Sequence, residues 1–157
     1  MTHEALLNGL PPATISFFAV FSRFEYALKR AGYLRSNSVD AQADWPRLAR
    51  ELGHSFLMRV RASGEVTTLM SGPPKKQVIT DGALGWETMP PIGTAKDLFL
   101  AVRRVRNNLF HGGKYATRPE PDMSRNESLI REATRLLEIA LDARPDLHAI
   151  FDDPIFP

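Results

Sequence analysis

Residues 94–114, TAKDLFLAVRRVRNNLFHGGK, constrain the fold most, because apolar side chains recur at helical spacing between a start signal and a stop signal. Thr94 with Asp97 three residues on reads as a capping box, and Gly112 and Gly113 read as the stop. Leu98, Val102, Val105 and Leu109 fall within about 60° of one another on a wheel that turns about 100° per residue, so this face is predicted to be core. Arg106 stands at the edge of that stripe beside Phe99 and Phe110, which places its guanidinium at the border between apolar packing and solvent.

The rest of the chain supplies partners for such a helix. Pro11 and Pro12 precede a long helix over about 14–31, ending near Gly32, with Phe17, Phe21, Phe24 and Leu28 as its core stripe. Glu25 lies at the edge of that stripe beside Phe18. It is placed to pair with Arg106, or with Lys29 at the favourable four-residue spacing. Asp44 reads as the cap of a second helix that runs to about Ala62, with Trp45, Leu48, Leu52 and Phe56 facing inward. A last helix is predicted from Ser124, with Glu127 as its capping-box partner, through Ile130, Ala133, Leu136, Leu137 and Ala140 to Ala143. The tail DLHAIFDDPIFP is expected to fold back onto the bundle.

Between 63 and 93 the segments SGPPKKQV, TDGALGW and MPPIG break any long helix, so a loop-rich insertion is expected there. Its extended pieces Val66–Met70 and Gln77–Thr80 are predicted to pair as a small hairpin, with Trp86 pinning the loop to the bundle. The alternative role for Trp86 is a base-stacking platform beside Lys75 and Lys76. The predicted architecture is a single all-α domain over residues 1–157, interrupted by this Pro/Gly-rich insertion.

Composition narrows the function classes. A chain of 157 residues, 43% hydrophobic and 24% charged, has the make-up of one soluble globular domain. The absence of cysteine removes disulfides, thiol catalysis and thiolate zinc sites together, and fits a reducing cytoplasm. The opening MTHEALLNGL lacks a basic leader, and the apolar run Ile15–Phe21 is far shorter than the roughly 20 residues that span a bilayer, so no membrane association is expected. No pair of histidines or carboxylates has metal-ligand spacing and no Gly-rich nucleotide loop occurs, so neither a metal nor another cofactor is expected. From a net charge of only +2 a broad nucleic-acid-binding surface does not follow. Positive charge is local: Arg103, Arg104, Arg106 and Lys114 crowd one helix end, and Lys75 and Lys76 add to it from the insertion.

That helix end also holds Arg106, Asn107 and His111, whose chemistry suits phosphodiester cleavage without a metal. Guanidinium neutralises phosphate, imidazole moves a proton near neutral pH, and an amide orients either. The spacing alone is weak, because 15 arginines and four histidines give about 0.4 chance pairs of this kind. Looser spacing also admits Arg47 with His54, a match discounted because His54 stands off its helix stripe with no flanking glycine turn or amide. On an ideal helix His111 points about 140° away from Arg106, so the two converge only if the helix unwinds at His111.

In RNNLFHGGK the Arg, the following Asn and a His after four intervening residues resemble the motif of the HEPN superfamily, and the aromatic-rich FSRFEYALKRAGY, residues 21–33, is similar to the opening helix of stand-alone members found near mobile and defence genes. The resemblance covers most of the chain. It implies a helical bundle that dimerises, with the Arg/His pairs of two copies meeting as a metal-independent endoribonuclease in a toxin or defence role. Carried over by position, Arg106, Asn107 and His111 are the catalytic group; from the local charge Arg103, Lys114, Lys75 and Lys76 are expected to bind the RNA, and from its place at the stripe edge Glu25 is expected in support. RNA, a second copy and a cognate antitoxin or other protein are the expected partners. Two other classes stay open: a non-catalytic nucleotide- or RNA-binding module on the same helix end, and a structural interaction domain.

Overall fold

The computed structural model of the protein describes residues 2–111 and 123–154, and within them the chain is mostly helical with one small antiparallel sheet. Its elements in order are α1 (His3–Asn8), α2 (Thr14–Arg30), α3 (Trp45–Ser63), α4 (Thr67–Ser71), β1 (Lys76–Thr80), β2 (Ala83–Glu87), α5 (Ala95–Phe110), α6 (Met123–Ala143) and α7 (Pro145–Asp152). The expected all-α class holds for most of the chain, and the small hairpin expected in the insertion is a two-stranded antiparallel sheet, so the fold is not purely helical. No helix of the described residues is long and apolar enough to cross a membrane.

The long helices form where caps and periodicity predict them. Thr94 Oγ1 accepts from the Asp97 N–H at 3.1 Å while the Asp97 carboxylate accepts from the Thr94 N–H at 3.0 Å, closing the capping box of α5. Asp44 caps α3 by accepting from the Arg47 N–H at 3.0 Å. The predicted stripes of α2, α5 and α6 are all buried, as are Trp45, Leu48 and Phe56 of α3, while Leu52 is only partly covered. An aromatic stack sits at the centre of this core, with Trp45 ring to ring against Phe21, Phe24 and Phe99, and Phe99 against Phe56.

Helix α3 departs from expectation at Gly53, whose φ of 64° and ψ of −161° break the helix in its middle. Only glycine occupies that region readily, since a Cβ there costs about 1–3 kcal/mol. A Cβ at Gly53 would meet nothing within 4 Å, so backbone strain alone sets the effect of a substitution. Gly53→Ala is expected to lower the unfolding free energy by about 1–3 kcal/mol in urea titrations. An unchanged midpoint would mean that α3 runs straight in solution.

The 63–93 insertion is more structured than expected and differently paired. Val66–Met70, expected as a strand, is largely the helix α4, because the Glu132 carboxylate of α6 accepts from the N–H groups of Thr68 and Leu69 at 3.2 and 2.6 Å. The partner of β1 is instead β2, in the register Thr80↔Ala83 and Ile79↔Leu84. The two-residue turn between them has positive φ at Asp81 (50°) and Gly82 (77°), as a primed hairpin turn requires. Trp86 lies opposite Gln77 on the face shared with Ile79 and Leu84 and remains 39% exposed, so it is at most a partial pin. The hairpin is tied to α5 at its base: Asn108 Nδ2 donates to the Lys75 carbonyl at 2.9 Å, and the Arg104 guanidinium donates to the Pro74 carbonyl at 3.4 Å.

At the far end, α6 begins at Met123, one residue before the expected cap Ser124, and Glu127 accepts from the Ala13 N–H at 3.3 Å instead of closing a capping box. The tail folds back as α7 against α2, with Leu147 buried. The Arg23 guanidinium of α2 donates to the carbonyls of Ile150, Phe151 and Asp153, filling the bare C-terminal end of α7.

Candidate active site at the end of helix α5

The last turn and a half of α5 gathers the residues picked out by their chemistry. Arg106 emerges half-buried from the core stripe, with its guanidinium carbon 5.7 Å from the ring centroid of Phe21 below it and 5.5 Å from that of Phe110 beside it. These ring faces attract the cation and fix a side chain that would otherwise sample many rotamers. Asn107 Oδ1 accepts from Arg106 Nη1 at 2.8 Å, a second restraint on the same group. Asn107 itself is exposed.

His111 caps the helix. Its N–H still donates to the Asn107 carbonyl at 2.9 Å, while its own φ and ψ of −87° and 15° leave the helical track. The imidazole is exposed and meets Phe110 edge to face, with centroids 5.6 Å apart and planes at 90°. Phe110 is thus the shared neighbour of Arg106 and His111. No hydrogen bond or ring contact joins those two directly among the described residues. Gly112, Gly113 and Lys114, the expected stop and one expected RNA-binding residue, lie outside the described residues.

Arg103, one turn earlier, is half-buried, and burial pulls its guanidinium below the usual arginine range; the nearby cations Arg35 and Arg106 act in the same direction and Glu25 opposes them. Arg35, which follows the bridge between Leu34 and Ala43, is a member of this cluster that sequence reasoning missed. Its only signal was composition, since nothing in the local pattern brings the 34–43 loop to α5. Lys75 and Lys76 are exposed, and the Asn108 bond to the Lys75 carbonyl holds their segment against α5 two residues from Arg106. Asn108 is only 3% exposed and serves as a structural tie, a role its neighbour Asn107 does not share.

The supporting pair expected between Glu25 and Arg106 is replaced by another. Glu25 Oε1 accepts from Trp45 Nε1 at 3.1 Å, so the carboxylate satisfies a core indole while acting on Arg103 through space. Nor does Lys29 take the carboxylate in a close ion pair.

Two other polar features lie away from this end. His54 is exposed and lines a cavity of about 420 Å³ with Arg50, Thr94 and Lys96 where α3 kinks, at the opposite end of α5. Twelve residues of helix, about 18 Å, separate Thr94 from Arg106. The second is a network in which Tyr33 donates to Glu51, and Arg144 joins Glu51 at 3.0 Å to Asp146 at 2.8 Å. The Tyr33 hydroxyl, followed by the two arginines Arg144 and Arg47, holds the Glu51 carboxyl down to about 2. It welds the start of α7 to α3 and is a structural ion-pair cluster, which perturbs a carboxylate as strongly as an active site does.

Fold and site together define a mostly helical domain with a basic, aromatic helix end. Compared with known proteins, the chain matches no family model, no curated protein and no solved structure.

Proposed function

We propose that the protein is a metal-independent endoribonuclease of the HEPN kind, working as a homodimer in which the α5 ends of two copies meet. The observation that carries this reading is the anchored guanidinium of Arg106, held by Asn107, Phe21 and Phe110 within one helical turn and a half of an exposed imidazole at a helix end. In the proposed reaction the substrate 2′-hydroxyl attacks the adjacent phosphorus in line and the bond to the 5′-oxygen breaks. Arg106 stabilises the charge that develops on the phosphoryl oxygens. One imidazole accepts the proton of the 2′-hydroxyl and its counterpart donates one to the departing oxygen, leaving a 2′,3′-cyclic phosphate and a 5′-hydroxyl. Arg103, Lys75 and Lys76 supply local positive charge for the RNA backbone.

What supports a site shared between two copies is that within one chain Arg106 and His111 border the same Phe110 ring without touching each other. Among the described residues no group of three His, Cys, Asp or Glu is arranged to hold a metal ion. Cleavage of single-stranded RNA is therefore expected to persist in EDTA, leave cyclic phosphate ends, and accompany a dimer in sedimentation at micromolar protein. Loss of activity in EDTA that one divalent ion restores, or full specific activity in a strict monomer, would sink this reading. The same lack of contact favours one rival, a non-catalytic RNA-binding module on the same surface, which would bind such RNA without turnover.

A further inference from the structure

Of the described phenylalanines Phe110 alone is exposed, keeping 71% of its surface in solvent while Phe17, Phe21, Phe24, Phe56 and Phe99 are buried. It occupies the last position of α5, where its ring reaches past the core stripe. The guanidinium of Arg106 sits on one side of that ring and the imidazole of His111 meets it edge on. Beyond Arg106, along the same helix end, the charge has one dominant sign: Arg35 and Arg106 both act on Arg103, with Glu25 as the carboxylate that opposes them there. An open aromatic face beside a cationic cluster is the arrangement by which proteins hold single-stranded nucleic acid. Bases stack on the ring whatever their identity, and the charges track the backbone. A duplex offers no such face, since its bases are already stacked on each other.

We propose that Phe110 is a stacking platform for one nucleobase of single-stranded RNA, seating the phosphate next to that base between Arg106 and His111. This rests on the ribonuclease reading for what happens to the phosphate, and not for the stacking itself. A base and its phosphate are one ribose apart, so a base on the exposed ring carries its phosphate to groups that already border that ring. Phe110 then acts as a ruler, selecting which phosphodiester the guanidinium receives.

The test uses the full chain and a single-stranded 2′-O-methyl oligonucleotide containing 2-aminopurine, which lacks the attacking hydroxyl and reports stacking by fluorescence quenching. Wild type is expected to bind with quenching. Phe110→Ala is expected to weaken binding about 5- to 150-fold and abolish the quenching. Phe110→Trp is expected to keep both, and Phe110→Leu, which preserves apolar surface without a π face, to behave like the alanine variant. Failure of wild type to bind, or wild-type binding and quenching by the alanine and leucine variants, would overturn the platform. It would also be overturned if Phe110→Ala dissociated a dimer while Phe110→Leu restored both dimer and binding, since Phe110 would then be covered by a second copy. Quenching by an RNA that is never cleaved would leave the platform standing and sink the nuclease. Cleavage without any quenching would do the reverse.

Discussion

Replacing His111 with alanine is expected to cut RNA turnover by a hundredfold or more while RNA still binds. A positioned general acid or base contributes about 10²–10⁴ in rate, and the guanidinium that attracts the phosphate remains in place. Among the described residues His111 is exposed, hydrogen-bonded to the helix through its backbone N–H and in edge contact with the Phe110 ring, so removing its side chain is expected to leave α5 folded. Arg106→Ala is expected to lose both turnover and affinity, because that group meets the phosphate before and during the reaction. His54→Ala is the matched control: also exposed, lining a cavity beside Thr94 at the opposite end of α5, and expected to cleave like wild type. Rates and affinities of the three folded variants decide the assignment. If His54→Ala loses activity and His111→Ala keeps it, the site lies at the other end of the helix.

The largest loss of stability is expected at Trp45. Its indole is buried at the first turn of α3, stacked on Phe21 and Phe24 at 5.5 and 5.3 Å between centroids and tilted against Phe99 at 5.9 Å, and its N–H satisfies Glu25. Truncating a buried tryptophan costs about 3–5 kcal/mol, against a total stability of about 5–15 kcal/mol for a domain of ordinary size. Trp45→Ala also strips the carboxylate of its donor and loosens Phe21, the ring beneath Arg106. Urea unfolding followed by circular dichroism should therefore show a collapse of the midpoint, and a loss below about 1 kcal/mol would contradict the packing described. Trp45→Phe, which keeps a ring and drops only the N–H, should fall between the two.

What the sequence disclosed, and what it withheld, divides along the range of the forces involved. Asp44, Thr94 with Asp97, and the stripes of α2, α5 and α6 were legible because cap and periodicity act within one or two turns. The strand expected at Val66–Met70 became a helix because its cap, Glu132, comes from more than sixty residues away. Glu127 was claimed by Ala13 and Glu25 by Trp45, again across long separations. The hairpin partner is readable in the sequence, since Asp81-Gly82 is a strong two-residue turn signal. At the candidate site the chemistry of Arg106, Asn107 and His111 was visible in one short string. Phe21 as the floor and Arg35 as a neighbour were not, because both arrive through tertiary folding.

The order in which the chain is made has its own consequence for α2. As a whole the helix packs mainly against α6 and α7, and the Arg23 contacts with the end of α7 span up to 130 residues. During synthesis those partners emerge long after α2, so the side of α2 that meets them waits uncovered while the intervening polypeptide is still being added. Closing so wide a loop is slow, and apolar surface left open in the interval is where chaperones act and where aggregation starts. The helix that carries Phe21, the floor under Arg106, is consequently held on one side early, by Trp45, and sealed on the other only when α6 and α7 have docked.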